Sequence, residues 1–103
     1  MAMPIIAMGI IALLVGLVAV NYRSILIDVI GQFIQLRPDD PEAWHYYGTL
    51  LDGAGYHLEA LDALKKAVAI SPNFSEAWKK MGDVLKTLGD MDKASEAYRF
   101  SES

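Results

Sequence analysis

The chain has 103 residues, 53% of them hydrophobic, with thirteen acidic side chains against nine basic ones and a net charge of −4. That length limits it to one small domain, and the acidic balance with no basic stripe sets nucleic acid aside as a partner. No cysteine is present, which removes disulfides and thiolate metal sites from consideration.

The first element is apolar throughout. From Pro4 to Val20 the sequence "PIIAMGIIALLVGLVAV" carries no charged or strongly polar side chain. At about 1.5 Å per residue it covers roughly 25 Å, and Met3, Asn21 and Tyr22 bring it close to the roughly 30 Å hydrocarbon core of a bilayer. A cleaved signal peptide would carry a basic leader, which Met1-Ala2-Met3 lacks. A buried soluble helix that is apolar all round would need more protein around it than the rest of this chain supplies. Residues 1–23 are therefore expected to be an uncleaved transmembrane anchor that meets the membrane through residues 4–22. Tyr22 and Arg23 would lie at its interface, and Arg23 and Arg37 on the C-terminal side place the remainder of the chain in the cytoplasm by the positive-inside rule.

The pattern then changes without a break. Residues 24–37 keep Ile25, Leu26, Ile27, Val29, Ile30, Phe33, Ile34 and Leu36, but Ser24, Asp28, Gln32 and Gln35 recur three and four apart as a polar stripe. One helix is expected from about Pro4 to Leu36, with Gly31 a soft point, ended by Pro38. Asp39 and Asp40 before Pro41 read as an N-cap with proline in the first turn.

From Pro38 onward the chain repeats itself. Trp44 returns as Trp78, Gly48 as Gly82, Leu51 as Leu85, Gly55 as Gly89, Ala60 as Ala94 and Ala63 as Ala97, every pair separated by the same interval. Each unit reads as two amphipathic helices joined by a glycine turn: about Pro41–Ala54 with His57–Ile70, then Ser75–Leu88 with Met91–Ser101. The tryptophans are expected as anchors between helices, Gly48 and Gly82 as points of close backbone approach, and Ala60 and Ala94 as close crossings.

These two units resemble tetratricopeptide (TPR) repeats, whose period of about 34 residues matches that interval and whose signature runs Trp, Leu-Gly, Tyr, Ala, Phe, Pro. Trp44, Gly48, Ala60 and Pro72 occupy signature positions in the first unit, and Trp78, Gly82, Ala94 and Tyr98 in the second. Tyr47 and Met81 stand in for the signature Leu, and Leu51 and Leu85 for the Tyr. The resemblance implies an all-α fold: a transmembrane helix continuing into a short α-solenoid of two TPR helix-turn-helix repeats, about 41–74 and 75–103, within a domain spanning 38–103. Residues 24–37 would serve as an N-terminal cap rather than a full repeat, since Leu26 stands where Ala60 and Ala94 stand. Two repeats without a C-terminal cap leave the outer face of Met91 to Phe100 to be covered by another molecule.

In TPR proteins the first helices line a groove for peptides or partner helices. The resemblance places Glu42, His45, Thr49 and Asp52, with Glu76, Lys79, Asp83 and Lys86, on that groove. Glu76–Lys79 and Asp83–Lys86, each three apart, also read as surface ion pairs. No catalytic, metal or cofactor-binding constellation is legible: His45 and His57 lie on different helices, and there is no phosphate loop or nucleophile motif. The expected partners are proteins, either other subunits of a membrane complex or copies of the chain itself, with no small-molecule substrate. The leading reading is a single-pass scaffold or accessory subunit, a non-enzyme. The alternative is a pilin-like filament subunit with the apolar helix in the core and the repeats outside.

Overall fold

The computed structural model describes residues 3–102 in five helices: α1 (Met3–Leu36), α2 (Pro41–Gly53), α3 (His57–Ile70), α4 (Ser75–Thr87) and α5 (Met91–Glu102). The outer ends of the expected anchor and second repeat, residues 1, 2 and 103, lie outside the described residues, as do the side chains of residues 3, 4 and 19–21.

Local chemistry sets the element boundaries. The Asp40 carboxylate accepts from the backbone N–H groups of Glu42 and Ala43 at 3.0 and 3.2 Å, so it caps α2 directly behind the proline. Gly55 and Gly89 take φ of 92° and 89° in the two interhelical turns, a conformation that costs an L side chain strain. At the start of α4 the residue that matches Asp40 is Phe74, which makes no side-chain cap. Its ring packs instead against the main core and lies 5.1 Å from the His45 ring.

The core runs between α3, α4 and α5. Leu61, Leu64, Ala67 and Val68 meet Ala77, Met81, Val84 and Leu85, with Ala94 and Ala97 completing the cluster. A second cluster joins Leu51 to Ala60 and Ala63, with Ile27, Trp44 and Tyr47 packed against it. Each repeat's small residues thus let its own two helices close, and its large ones fill the gap to the next helix.

Two assigned roles change in detail. Gly48 and Gly82 chiefly make room for a side chain. A Cβ at Gly48 would lie 2.8 Å from Leu64 Cγ, with the Ala60 carbonyl at 3.1 Å, and one at Gly82 would lie 2.6 Å from the Tyr98 ring. The aromatic signature position is therefore what the glycine accommodates. The tryptophans are anchors as expected, but each also ties down the turn before its helix. Trp44 Nε1 donates to the Pro38 carbonyl and Trp78 Nε1 to that of Pro72, both at 2.8 Å.

α1 is continuous through Gly31. Its C-terminal half sits on α2: Ile34 is buried, Ile27 joins the second cluster, and Arg23 Nη1 donates to the Gly53 carbonyl at 2.7 Å. Among the described residues its N-terminal half packs on nothing in the chain. Ile5 to Val18 are exposed throughout, and among the described residues Ile5–Leu36 is a helix long and apolar enough, by length and composition, to cross a membrane.

At the other end, α5 departs from α3 where it matters for a cap. Ser95 and Glu102 replace Leu61 and Val68, which α3 buries in the core it shares with α4. The face on which a further repeat would dock is polar, so the expectation that it must be covered is relaxed. The exposed apolar groups of α5, Met91 and Phe100, lie at other positions, with Phe100 stacked on Trp78 at 4.7 Å.

Candidate functional site

Three of the eight groove positions share one cleft. Glu42, His45 and Glu76 come together in a cleft completed by Tyr46, Asn73, Phe74 and Ser75. Burial lowers the His45 pKa below its usual value; Glu76 and Glu42 oppose this and Lys80 adds to it. The ring is thus neutral at neutral pH, and the cleft presents two carboxylates beside aromatic rings. Such a surface suits a cationic side chain, which gains from both carboxylate and ring faces.

Asp52 is committed elsewhere. Its carboxylate sits between three helices, accepting from Lys80 Nζ of α4 at 2.8 Å and from His57 Nδ1 of α3 at 2.7 Å. A carboxylate can only accept, so the imidazole donates. Partial burial pushes the Asp52 pKa up, but the hydrogen bonds from Lys80 and His57 outweigh it and hold the acid below its ordinary value. The residue is a staple between repeats rather than a free groove ligand.

The remaining positions divide. Thr49 and Thr87 turn their hydroxyls back onto the carbonyls of His45 and Asp83, four residues earlier. Asp83 accepts from the Tyr98 hydroxyl of α5 and raises that phenol above its usual pKa. The ion pairs formed among the described residues are those of Asp52 with Lys80 and His57, and Lys93 with Asp90. The expected Glu76–Lys79 and Asp83–Lys86 pairs are not made; Asp83 is taken by Tyr98, and Lys79 and Lys86 remain exposed.

Lys80 is the residue that sequence reasoning missed. A signal existed: Ala77, Met81 and Val84 define the buried stripe of α4, and Lys80, three after Ala77, flanks that stripe, whereas Lys79 lies opposite it. The tryptophan caps repeat as well, though with different chemistry. Lys66 Nζ lies 4.5 Å over the Trp44 ring, and Phe100, at the equivalent position of the next repeat, takes the same place over Trp78.

Asp52 gives a pH prediction. A depressed native pKa contributes stability that is present above the ordinary carboxylate value and lost as pH falls through the native one. Asp52→Asn is expected to lower stability by about 1 kcal/mol at neutral pH. Thermal melts across the acid range should show the gap to the parent chain holding down to about pH 4 and closing only below it.

Paired helices closed by glycine turns and stacked through a shared core define an α-solenoid interaction module. Two separate tetratricopeptide-repeat models match, one over residues 41–84 and the other over residues 75–99. Residues 41–99 of this chain are thus tetratricopeptide repeats. No curated protein sequence matches it. Among solved structures, a crystal structure of MamA is 24% identical with a TM-score of 0.76, over 81% of this chain and 48% of that one. A second MamA structure gives 25% identity and 0.73 over 77% and 43%. The structure titled MamA 41-end from Desulfovibrio magneticus RS-1 gives 20% and 0.76 over 84% and 49%. The chain spans about half the length of these structures, and at these identities the likeness is one of fold. The coverage exceeds what the residues after Leu36 can supply, so part of α1 superposes as well.

Proposed function

We propose that this chain is a membrane-anchored scaffold subunit, whose α1 embeds in a bilayer and whose repeats hold another protein of a membrane complex. The observation that carries the reading is the division of α1. Ile5 to Val18 are apolar and exposed on every side, while the same helix, once polar residues appear, seats Ile27 and Ile34 against the repeats. A lipid environment removes the cost of the first half, and the second half sets the repeats rigidly at the membrane surface. Arg23 and Arg37 favour a cytoplasmic repeat domain. The partner contact is the Glu42, His45 and Glu76 cleft, which suits a basic segment of the bound protein.

The test is extraction of native membranes. The chain is expected to stay in the pellet through alkaline carbonate, to need detergent for release, and to migrate with unlike proteins on native sizing. Release by carbonate would overturn the anchor. Recovery as long fibres without detergent would favour the filament reading.

A further inference from the structure

The extramembrane half of α1 has two faces, and only one is used within the chain. Ile27, Gly31 and Ile34 turn toward α2. Flanking that contact stand Tyr22, Leu26, Val29, Phe33 and Leu36, spaced four, three, four and three. This is the a/d alternation of a coiled-coil seam. Val29, Phe33 and Leu36 are 54%, 40% and 82% exposed, with Leu26 half-buried. None of the polar residues of this stretch, Ser24, Asp28, Gln32 and Gln35 or the flanking Arg23 and Arg37, falls on the seam.

We propose that this seam packs against the same seam of a second copy of the chain, as a parallel helix pair. The inference rests on the anchored reading, and the anchor is what selects the occupant: copies inserted in one membrane present α1 side by side, in the same direction and at the same depth. Flanking positions agree with that direction. In a parallel pair each residue after a d position faces the one before an a position of its partner. Ile30 then meets Ile25 and Arg37 meets Gln32, while Arg23 is held on the Gly53 carbonyl, so no arginine faces another.

Replacement at the repeat's own closing positions points the same way. Ala60, Ala63 and Ala67 of α3 are almost fully buried and let α2 approach closely. Their counterparts one repeat interval earlier are Leu26, Val29 and Phe33, too bulky for that crossing but of the size that fills a knobs-into-holes seam. The alternation continues through Val15, Ala12, Met8 and Ile5 inside the anchor, where every register is apolar and none is singled out. Gly9 and Gly16, however, both lie immediately beside that line, and added Cβ atoms there would meet nothing in the chain. Small residues beside a seam let helices approach in lipid, where close packing rather than water drives association. The seam lies to one side of the α2 contact, so Val29, Phe33 and Leu36 stay open to the second copy while α2 keeps its place on Ile27 and Ile34.

The chain has no cysteine, so single substitutions report unambiguously. The purified full chain is reconstituted into phosphatidylcholine vesicles, floated on a density gradient, and oxidised. Leu26→Cys, Val29→Cys, Phe33→Cys and Leu36→Cys are expected to give disulfide-linked dimers. Ser24→Cys, Asp28→Cys and Gln35→Cys, exposed but off the seam, are expected to lose that product. Dimer at all positions alike, or none at the seam positions in floated chain, overturns the pairing while leaving the anchor intact. A chain that does not float overturns the anchored reading, and the parallel geometry with it.

Discussion

Trp78→Ala is expected to cost roughly 3–5 kcal/mol and to unfold the second repeat. The indole does three things at once: it packs against the α3–α4–α5 core, stacks on Phe100 at 4.7 Å, and donates to the Pro72 carbonyl at 2.8 Å. An array of this size has about 3–10 kcal/mol in total by the usual stability per residue, so the loss is comparable with the whole. Trp78→Phe keeps most of the ring packing and removes only the donor, at about 1 kcal/mol. Urea unfolding of the detergent-solubilised chain, followed by circular dichroism, separates the two. If the alanine variant keeps its helicity and midpoint, Trp78 is not the anchor between the repeats.

Gly48→Ala is expected to destabilise by about 1–3 kcal/mol even though alanine favours helix by up to about 1 kcal/mol over glycine. The new methyl would meet Leu64 Cγ at 2.8 Å and the Ala60 carbonyl at 3.1 Å. Leu64 is fully buried and the carbonyl is backbone, so neither can step aside without parting α2 from α3. Gly82→Ala meets a tighter contact, 2.6 Å to the Tyr98 ring, yet Tyr98 is only half-buried and can swing out, giving up its bond to Asp83. The smaller loss is therefore expected at the shorter distance. Gly53→Ala, with open space around it, is expected to gain about 0.5–1 kcal/mol and serves as the control in the same unfolding series. Equal gains at Gly48 and Gly53 would mean that helix propensity, not the Leu64 contact, governs these sites.

The repeat was legible because its signals are local. Recurrence of Trp, Gly and Ala positions at one fixed interval, with proline and glycine at the joints, marks four helices to within a residue or two at each end. Capping by Asp40 needs only the neighbouring backbone, and it too is readable from "DDP". The candidate site was less legible, since the residues that compete for Asp52 and Asp83 come from other helices. Lys80, His57 and Tyr98 reach them only after the helices stack; spacing within α4 sets Lys80 beside the buried stripe but does not name its partner. Even the two tryptophans, identical in their signature place, acquire different covers, Lys66 in one repeat and Phe100 in the next.

By itself, then, the sequence determined the all-helical repeat and a helix able to cross a membrane, because periodicity, caps and hydrocarbon length are properties of short contiguous stretches. Only the tertiary structure decided which polar groups remain available and which faces are left unpaired. Docking α2, α3 and α4 consumes Asp52, and docking α1 on α2 through Ile27 and Ile34 turns Val29 and Phe33 outward. Those outcomes depend on the rotation of each helix against its neighbours, which packing across the whole core sets and no single segment contains.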